Sequence, residues 1–148
     1  APGINAKMNE LQAAYGLLQL KHVDEYIAKR KIIVEEYKKH LKSIPGIRII
    51  PEIVGVNHTY PYFPILVDSQ VLGKSRDAVY EELKAHNIYG RRYFYPLISQ
   101  FPTYRGLPSA SPINLPVATR IADQVICLPI YPDLDKNTIP YIAKIIRS

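Results

Sequence analysis

The spacing of apolar residues changes once along the first third of the chain. Residues 11–20 (LQAAYGLLQL) carry no charge. Ala13, Leu17 and Leu20 fall on one helical face, and Leu11, Ala14, Tyr15 and Leu18 on the next. A helix apolar over so much of its girth is not a surface helix. In so small a domain it needs cover from a further domain or a second subunit. From Lys21 the stripe narrows to Val23, Tyr26 or Ile27, Arg30, Ile33 or Val34, Tyr37 and Leu41, with Asp24, Lys29, Lys31, Glu35, Lys38 and Lys39 outside it. That is a conventional amphipathic pattern. Asn9 suits an N-cap, with Glu10 and Gln12 in the first turn. Pro45 disfavours helix at Ile44 and Gly46 supplies turn freedom, so the helical region spans residues 9–43.

The rest of the chain reads as short strands and helices. Residues 47–50 form a strand candidate closed by Pro51. Residues 60–67 (YPYFPILV) form a second, whose Pro61 and Pro64 point to an edge or irregular strand. Ser75 caps a helix over 77–86, with Val79, Leu83 and Tyr80 inward. Residues 88–96 (IYGRRYFYP) are a third strand candidate, in which Phe94 alternates with Tyr93 and Tyr95. A proline-rich loop follows over 97–116, and Pro116 opens a helix carrying Val117, Ile121, Ala122 and Val125. Residues 126–129 read as a short buried strand. Residues 133–148 form a closing helix with Ile139, Ile142, Ala143 and Ile146 inward and Asp135 or Asn137 near its start. The expected fold is α/β: a long N-terminal helix, then a small, mostly antiparallel sheet with helices packed on it.

Composition narrows the possibilities. With 148 residues the chain fits one domain of ordinary size. An apolar fraction of 47% and a charged fraction of 22% argue against disorder. No window approaches the ~20 apolar residues of a membrane span. Residues 1–7 lack the apolar stretch of a secretory signal, so the cytoplasm is the expected location. The 13 prolines cluster after Pro45, which favours shaped loops over long helices there. One cysteine, Cys127, excludes an internal disulfide and a cysteine-based zinc site. The net charge of +6 permits an anionic partner.

Few residues form chemical constellations. His22, His40, His58 and His86 have no metal-ligand spacing. Cys127 lies between Ile126 and Leu128 and reads as a buried structural thiol. The G-x-S-x-G, P-loop and G-x-G-x-x-G patterns are missing. Arg91 and Arg92 precede Tyr93, Phe94 and Tyr95, an interleaving used by single-strand nucleic-acid binders. The same residues suit a pocket for a phosphorylated or nucleotide-bearing small molecule.

The most informative stretch begins at Gly3. Gly3, Asn5, Lys7, Met8, Ala13, Ala14, Gly16, Gln19 and Leu20 satisfy a G-x-N-x-[RK]-M-x-x-x-x-A-A-x-G-x-x-Q-L pattern. Further on come Tyr95-Pro96, Pro102-Thr103-Tyr104, and Leu128-Pro129-Ile130-Tyr131-Pro132. In these motifs the chain resembles the DegT-type, pyridoxal-phosphate-dependent nucleotide-sugar aminotransferases of fold type I. The resemblance runs almost end to end, but over the C-terminal portion of that family only.

The resemblance implies a division into residues 1–45, a cofactor-proximal loop and linking helix, and residues 46–148, the small domain. It implies pyridoxal phosphate as cofactor, held mainly by a large domain that also carries the Schiff-base lysine in an S-x-x-K segment. No lysine of this chain matches that position, so the chain alone is expected to be inactive. Asn5 is implied as a contact to the cofactor phosphate of the other subunit, with Lys7 near the same anionic region. Arg91, Tyr93, Tyr95 and Tyr104 are the substrate-contact candidates, and no residue of the chain is assigned a catalytic role. Where the family often has a His near the sugar, this chain has Ser99. The R-R-Y-F-Y-P run resembles members that make 4-amino-4,6-dideoxyglucose nucleotides for surface polysaccharide. The implied partners are a second copy in a homodimer, a nucleotide-diphosphate keto sugar and glutamate, with neither membrane nor nucleic acid expected. A sugar dehydratase of the same fold, with His for the catalytic Lys, and a basic single-strand-binding module are the rival readings.

Overall fold

Near-complete burial of two strands and burial of one stripe on each of three helices organise the structure. The computed structural model describes residues 6–93 and 95–148. Asn5 and Phe94 lie outside the described residues, so the readings made on them do too. Helix α1 spans Glu10–Leu20 and α2 Val23–Leu41. Strand β1 is Ile47–Ile49 and β2 is Phe63–Val67. Helices α3 (Ser69–Leu72) and α4 (Arg76–Ala85) follow. Helix α5 (Pro116–Gln124), strand β3 (Val125–Leu128) and helix α6 (Thr138–Arg147) complete the chain.

The expected N-terminal helical region divides at Lys21–His22. A reciprocal capping box starts α1, with Gln12 N–H donating to Asn9 Oδ1 at 2.9 Å and Asn9 N–H to Gln12 Oε1 at 3.1 Å. Lys21 and His22 then close 3₁₀-type bonds onto Leu18 and Gln19 carbonyls, and α2 restarts at Val23. The break falls where the apolar pattern changes, with neither Gly nor Pro to mark it. Gly46 turns the chain into β1 at φ 82°, where a Cβ would stand 2.6 Å from the Leu72 backbone nitrogen.

The sheet is antiparallel in the order β1-β2-β3. The strand expected to be an edge or irregular strand because of Pro61 and Pro64 is the central one, so the edge alternative does not hold. Pro64 sits opposite Cys127, whose N–H and C=O both bond Arg91 on the far side, at 2.8 and 2.9 Å. The Pro64–Cys127 pair thus exchanges no ladder bonds, and the missing N–H of Pro64 points past the end of β1. Among the described residues, the strand expected over 88–96 is reduced to that Arg91–Cys127 bridge. A turn at Tyr93 ends the pairing.

Phe63, Ile65 and Val67 face the main core with Ile126 and Leu128. Ile33, Val34, Tyr37 and Leu41 of α2, Val79 and Leu83 of α4, and Ile139, Ile142, Ala143, Ile145 and Ile146 of α6 cover them. Tyr37 stacks on Phe63 at 4.8 Å between centroids and donates its hydroxyl to the Pro129 carbonyl at 2.9 Å. Helix α6 starts later than expected because the Asp135 carboxylate takes the Asn137 N–H at 3.0 Å in a turn before it. Helix α1 contributes no buried residue, and Leu11 and Leu17 are 83% and 65% exposed.

Candidate functional site

A polar concavity is built from α4 and the segment that returns to β3. Ser75 caps α4 by accepting the Ala78 N–H at 3.1 Å. Arg76 and Asp77 fill the first turn, where a carboxylate is favoured by the helix dipole. After α4, Gly90 lies so near β3 that a Cβ there would stand 3.1 Å from Ile126 and 3.2 Å from the Cys127 carbonyl oxygen. That approach, with the Arg91 bridge, leaves Arg92 and Tyr95 over the start of α4, against Asp77 and Arg76.

The result is a cleft of about 440 Å³ lined by Tyr62, Tyr80, Gly90, Arg91, Arg92, Tyr93 and Tyr95. Tyr93 packs its ring on Tyr62 at 4.6 Å. Desolvation, and next the Tyr62 phenol beside it, hold the Tyr93 hydroxyl above its ordinary value. The Arg92 guanidinium lies 4.7 Å from the ring centroids of both Tyr80 and Tyr95 and donates to Asp77 Oδ1 at 3.1 Å. The cleft therefore combines cationic donors with phenol rings, a lining suited to a phosphorylated ligand with flat or apolar parts.

Three of the four expected substrate contacts, Arg91, Tyr93 and Tyr95, meet in this cleft. Tyr104 does not line it; it is exposed in the turn after Phe101. Lys7 is exposed just ahead of the α1 cap, beside a groove of about 660 Å³ walled by Met8, Leu17, Leu20 and Tyr26. Sequence reasoning missed Arg76 and Asp77 as parts of the site, and placed Arg92 only as a neighbour of Arg91. Arg76 is 2% exposed, yet it stands at the first position of α4, where an arginine is ordinarily solvated. No local signal marks it. Among the described residues no three His, Cys, Asp or Glu side chains are grouped as metal ligands. No helix among them is long and apolar enough to cross a membrane.

The family model of the DegT/DnrJ/EryC1/StrS aminotransferase family matches residues 1–147. The chain belongs to that family. It is 54% identical over 146 residues to an Escherichia coli dTDP-4-amino-4,6-dideoxy-D-glucose transaminase, covering 99% of this chain and 39% of that protein. A Shigella dysenteriae protein of the same name is 39% identical over 146 residues, with coverages of 99% and 39%. Among solved structures, DesI crystallised in the presence of its TDP-sugar product superposes with a TM-score of 0.89 at 32% identity, over 98% of this chain and 36% of DesI. The chain thus spans well under half the length of these relatives. Its small antiparallel sheet with packed helices corresponds to part of their fold.

Proposed function

We propose that this chain is the cofactor-proximal loop, linking helices and small domain of a pyridoxal-phosphate-dependent aminotransferase acting on a nucleotide-linked 4-keto-6-deoxy sugar. Residues 1–45 form the loop and linking part, and residues 46–148 the small domain. The amino donor is glutamate, the whole enzyme is a cytoplasmic homodimer, and the product serves surface-polysaccharide synthesis. The observation that carries the reading is the 54% identity with the Escherichia coli transaminase along nearly the whole chain. The cleft of Arg91, Arg92 and tyrosines supports it, because its lining suits a nucleotide sugar.

The residues present fit the phosphate edge of the cofactor rather than its reactive end. Lys7 is an exposed cation ahead of the capped N-terminus of α1, a setting favourable to an anion. Asn5 and Lys7 would hold the phosphate across the dimer. A lysine there keeps the charge and gives up the bidentate geometry of arginine. When bound, pyridoxal phosphate supplies the electron sink for moving an amino group. Several lysines of this chain are engaged in ion pairs, Lys29 with Glu25, Lys38 with Glu35 and Glu52, and Lys39 with Glu36. Lys74, the most enclosed of those in ion pairs, is bonded to Glu82 and the Ile145 carbonyl. Arg91, Tyr93 and Tyr95 bind and orient the nucleotide sugar, and Tyr104 approaches it from the following loop.

Full-length enzyme given glutamate and dTDP-linked 4-keto-6-deoxyglucose should form 2-oxoglutarate and the 4-amino sugar in equal amounts. A sugar product that has lost a hydroxyl and gained no nitrogen overturns the reading. In the same protein Asn5→Ala should weaken cofactor binding by about one to two powers of ten, the worth of a charge-assisted bond, with melting of the cofactor-free form unchanged. A change in melting alone makes Asn5 a local cap.

A further inference from the structure

Asp77 holds two arginines at once. Its Oδ1 lies 3.0 Å from Arg76 Nε and 3.1 Å from Arg92 Nη1. Both guanidiniums also meet the same ring, at 4.9 Å and 4.7 Å from the Tyr95 centroid. Arg76 is the fixed end of this cluster. It is buried, and its Nη1 donates to the Val125 carbonyl of β3 at 2.9 Å. Its Nε, although close to Asp77, is aligned for no hydrogen bond. The Arg76–Asp77 attraction is therefore ionic contact set by packing rather than by a directed donor.

Arg92 is the working end. Its side chain is one-third exposed and lines the cleft, between the rings of Tyr80 and Tyr95. A guanidinium has five N–H donors. Among the described residues Arg92 gives a hydrogen bond only to Asp77, which leaves most of its fork for a ligand. The charges do not cancel: two arginines share one carboxylate, and Arg91 adds a second cation to the cleft that Arg92 lines. A long arginine held in place before the ligand arrives loses less rotamer freedom on binding, which raises affinity without adding a contact.

We propose that Arg92 takes the diphosphate of the nucleotide sugar, and that Asp77, backed by the buried Arg76, is the positioning residue that holds Arg92 for it. This rests on the nucleotide-sugar reading above and names the group that reads the anion. The cleft favours a diphosphate over an amino-acid carboxylate because phenol faces of Tyr62 and Tyr93 stand beside the cations, suited to the remainder of a nucleotide.

Calorimetric titration of dTDP into the full-length enzyme tests the assignment. Arg92→Ala should weaken dTDP about tenfold or more, the size of a charge-assisted bond. Asp77→Ala should weaken it comparably, and the double variant should be no weaker than Arg92→Ala alone, because the two residues act as one unit. Glutamate KM should stay unchanged in all three. Losing the carboxylate beside buried Arg76 endangers folding. If Asp77→Ala fails to fold, Asp77→Asn carries the same comparison with an acceptor retained. Additive losses, or unaltered dTDP affinity in Arg92→Ala, overturn the proposal while leaving the function in place. A rise confined to glutamate KM also overturns it, by giving the anion site to the amino donor. A wild-type enzyme that neither binds dTDP nor aminates the keto sugar removes the functional reading and this one with it.

Discussion

Cys127 is inert in the fold, as its place between Ile126 and Leu128 implies. It is buried in β3, and burial pushes its thiol up to about 11, against a smaller opposing pull from Arg91. At pH 8 the thiolate is then on the order of one part in a thousand. A thiol-specific reagent should leave the folded protein unlabelled at pH 8 and label one site after denaturation; rapid labelling of the native form contradicts this. With its folded value above the unfolded one, Cys127 stabilises fully below about pH 9, and that contribution is lost as pH rises towards 11. Stability curves of wild type and Cys127→Ala should converge over that interval. Arg76 makes the opposite point. Its place at the head of α4 gives no hint of burial, because what buries it is the carbonyl of Val125, 49 positions away.

At the scale of elements, legibility tracked how local the determining forces are. The Asn9–Gln12 box, the Ser75 cap and the inward stripe of α6 depend on residues within one turn or one face, and each stands where the pattern put it. The central position of β2 depends on which side of Pro64 its neighbours lie, and the loss of the 88–96 strand depends on the close approach of Gly90 to β3. Neither is written in a window of sequence. Helix α1 is the plainest open account. Leu11, Leu17, Leu18 and Leu20 are all exposed, and burying a leucine is worth roughly 1.5–3 kcal/mol. The chain by itself should therefore self-associate through this face. Sedimentation should show species above 16.9 kDa that revert to monomer in a Leu17→Glu, Leu18→Glu double variant. A wild-type monomer at all concentrations contradicts this.

Across the whole molecule, the core and the chemistry are separated. One face of the sheet with α2, α4 and α6 makes a core of its own, while α1 projects unburied and the arginine–tyrosine cleft opens beyond β3. Such a layout leaves the α1 leucines and the arginine–tyrosine cleft open, and the chain spans 39% of the length of the Escherichia coli relative. It also predicts how the chain alone should behave towards the cofactor. Attack on the pyridoxal carbonyl requires a neutral amine held close by. Lys29 is pushed the other way, its value raised by the Glu25 carboxylate it bonds. Lys38, despite desolvation opposing it, is raised by Glu52 and Glu35. Lys74 is tied to Glu82. Among the described residues no lysine lines the arginine–tyrosine cleft. Mixed with one equivalent of pyridoxal phosphate and reduced with borohydride, this chain should give scattered, substoichiometric labelling of surface lysines by peptide mapping. A stoichiometric adduct at a single lysine would contradict this layout, and would require a reactive centre within the chain itself.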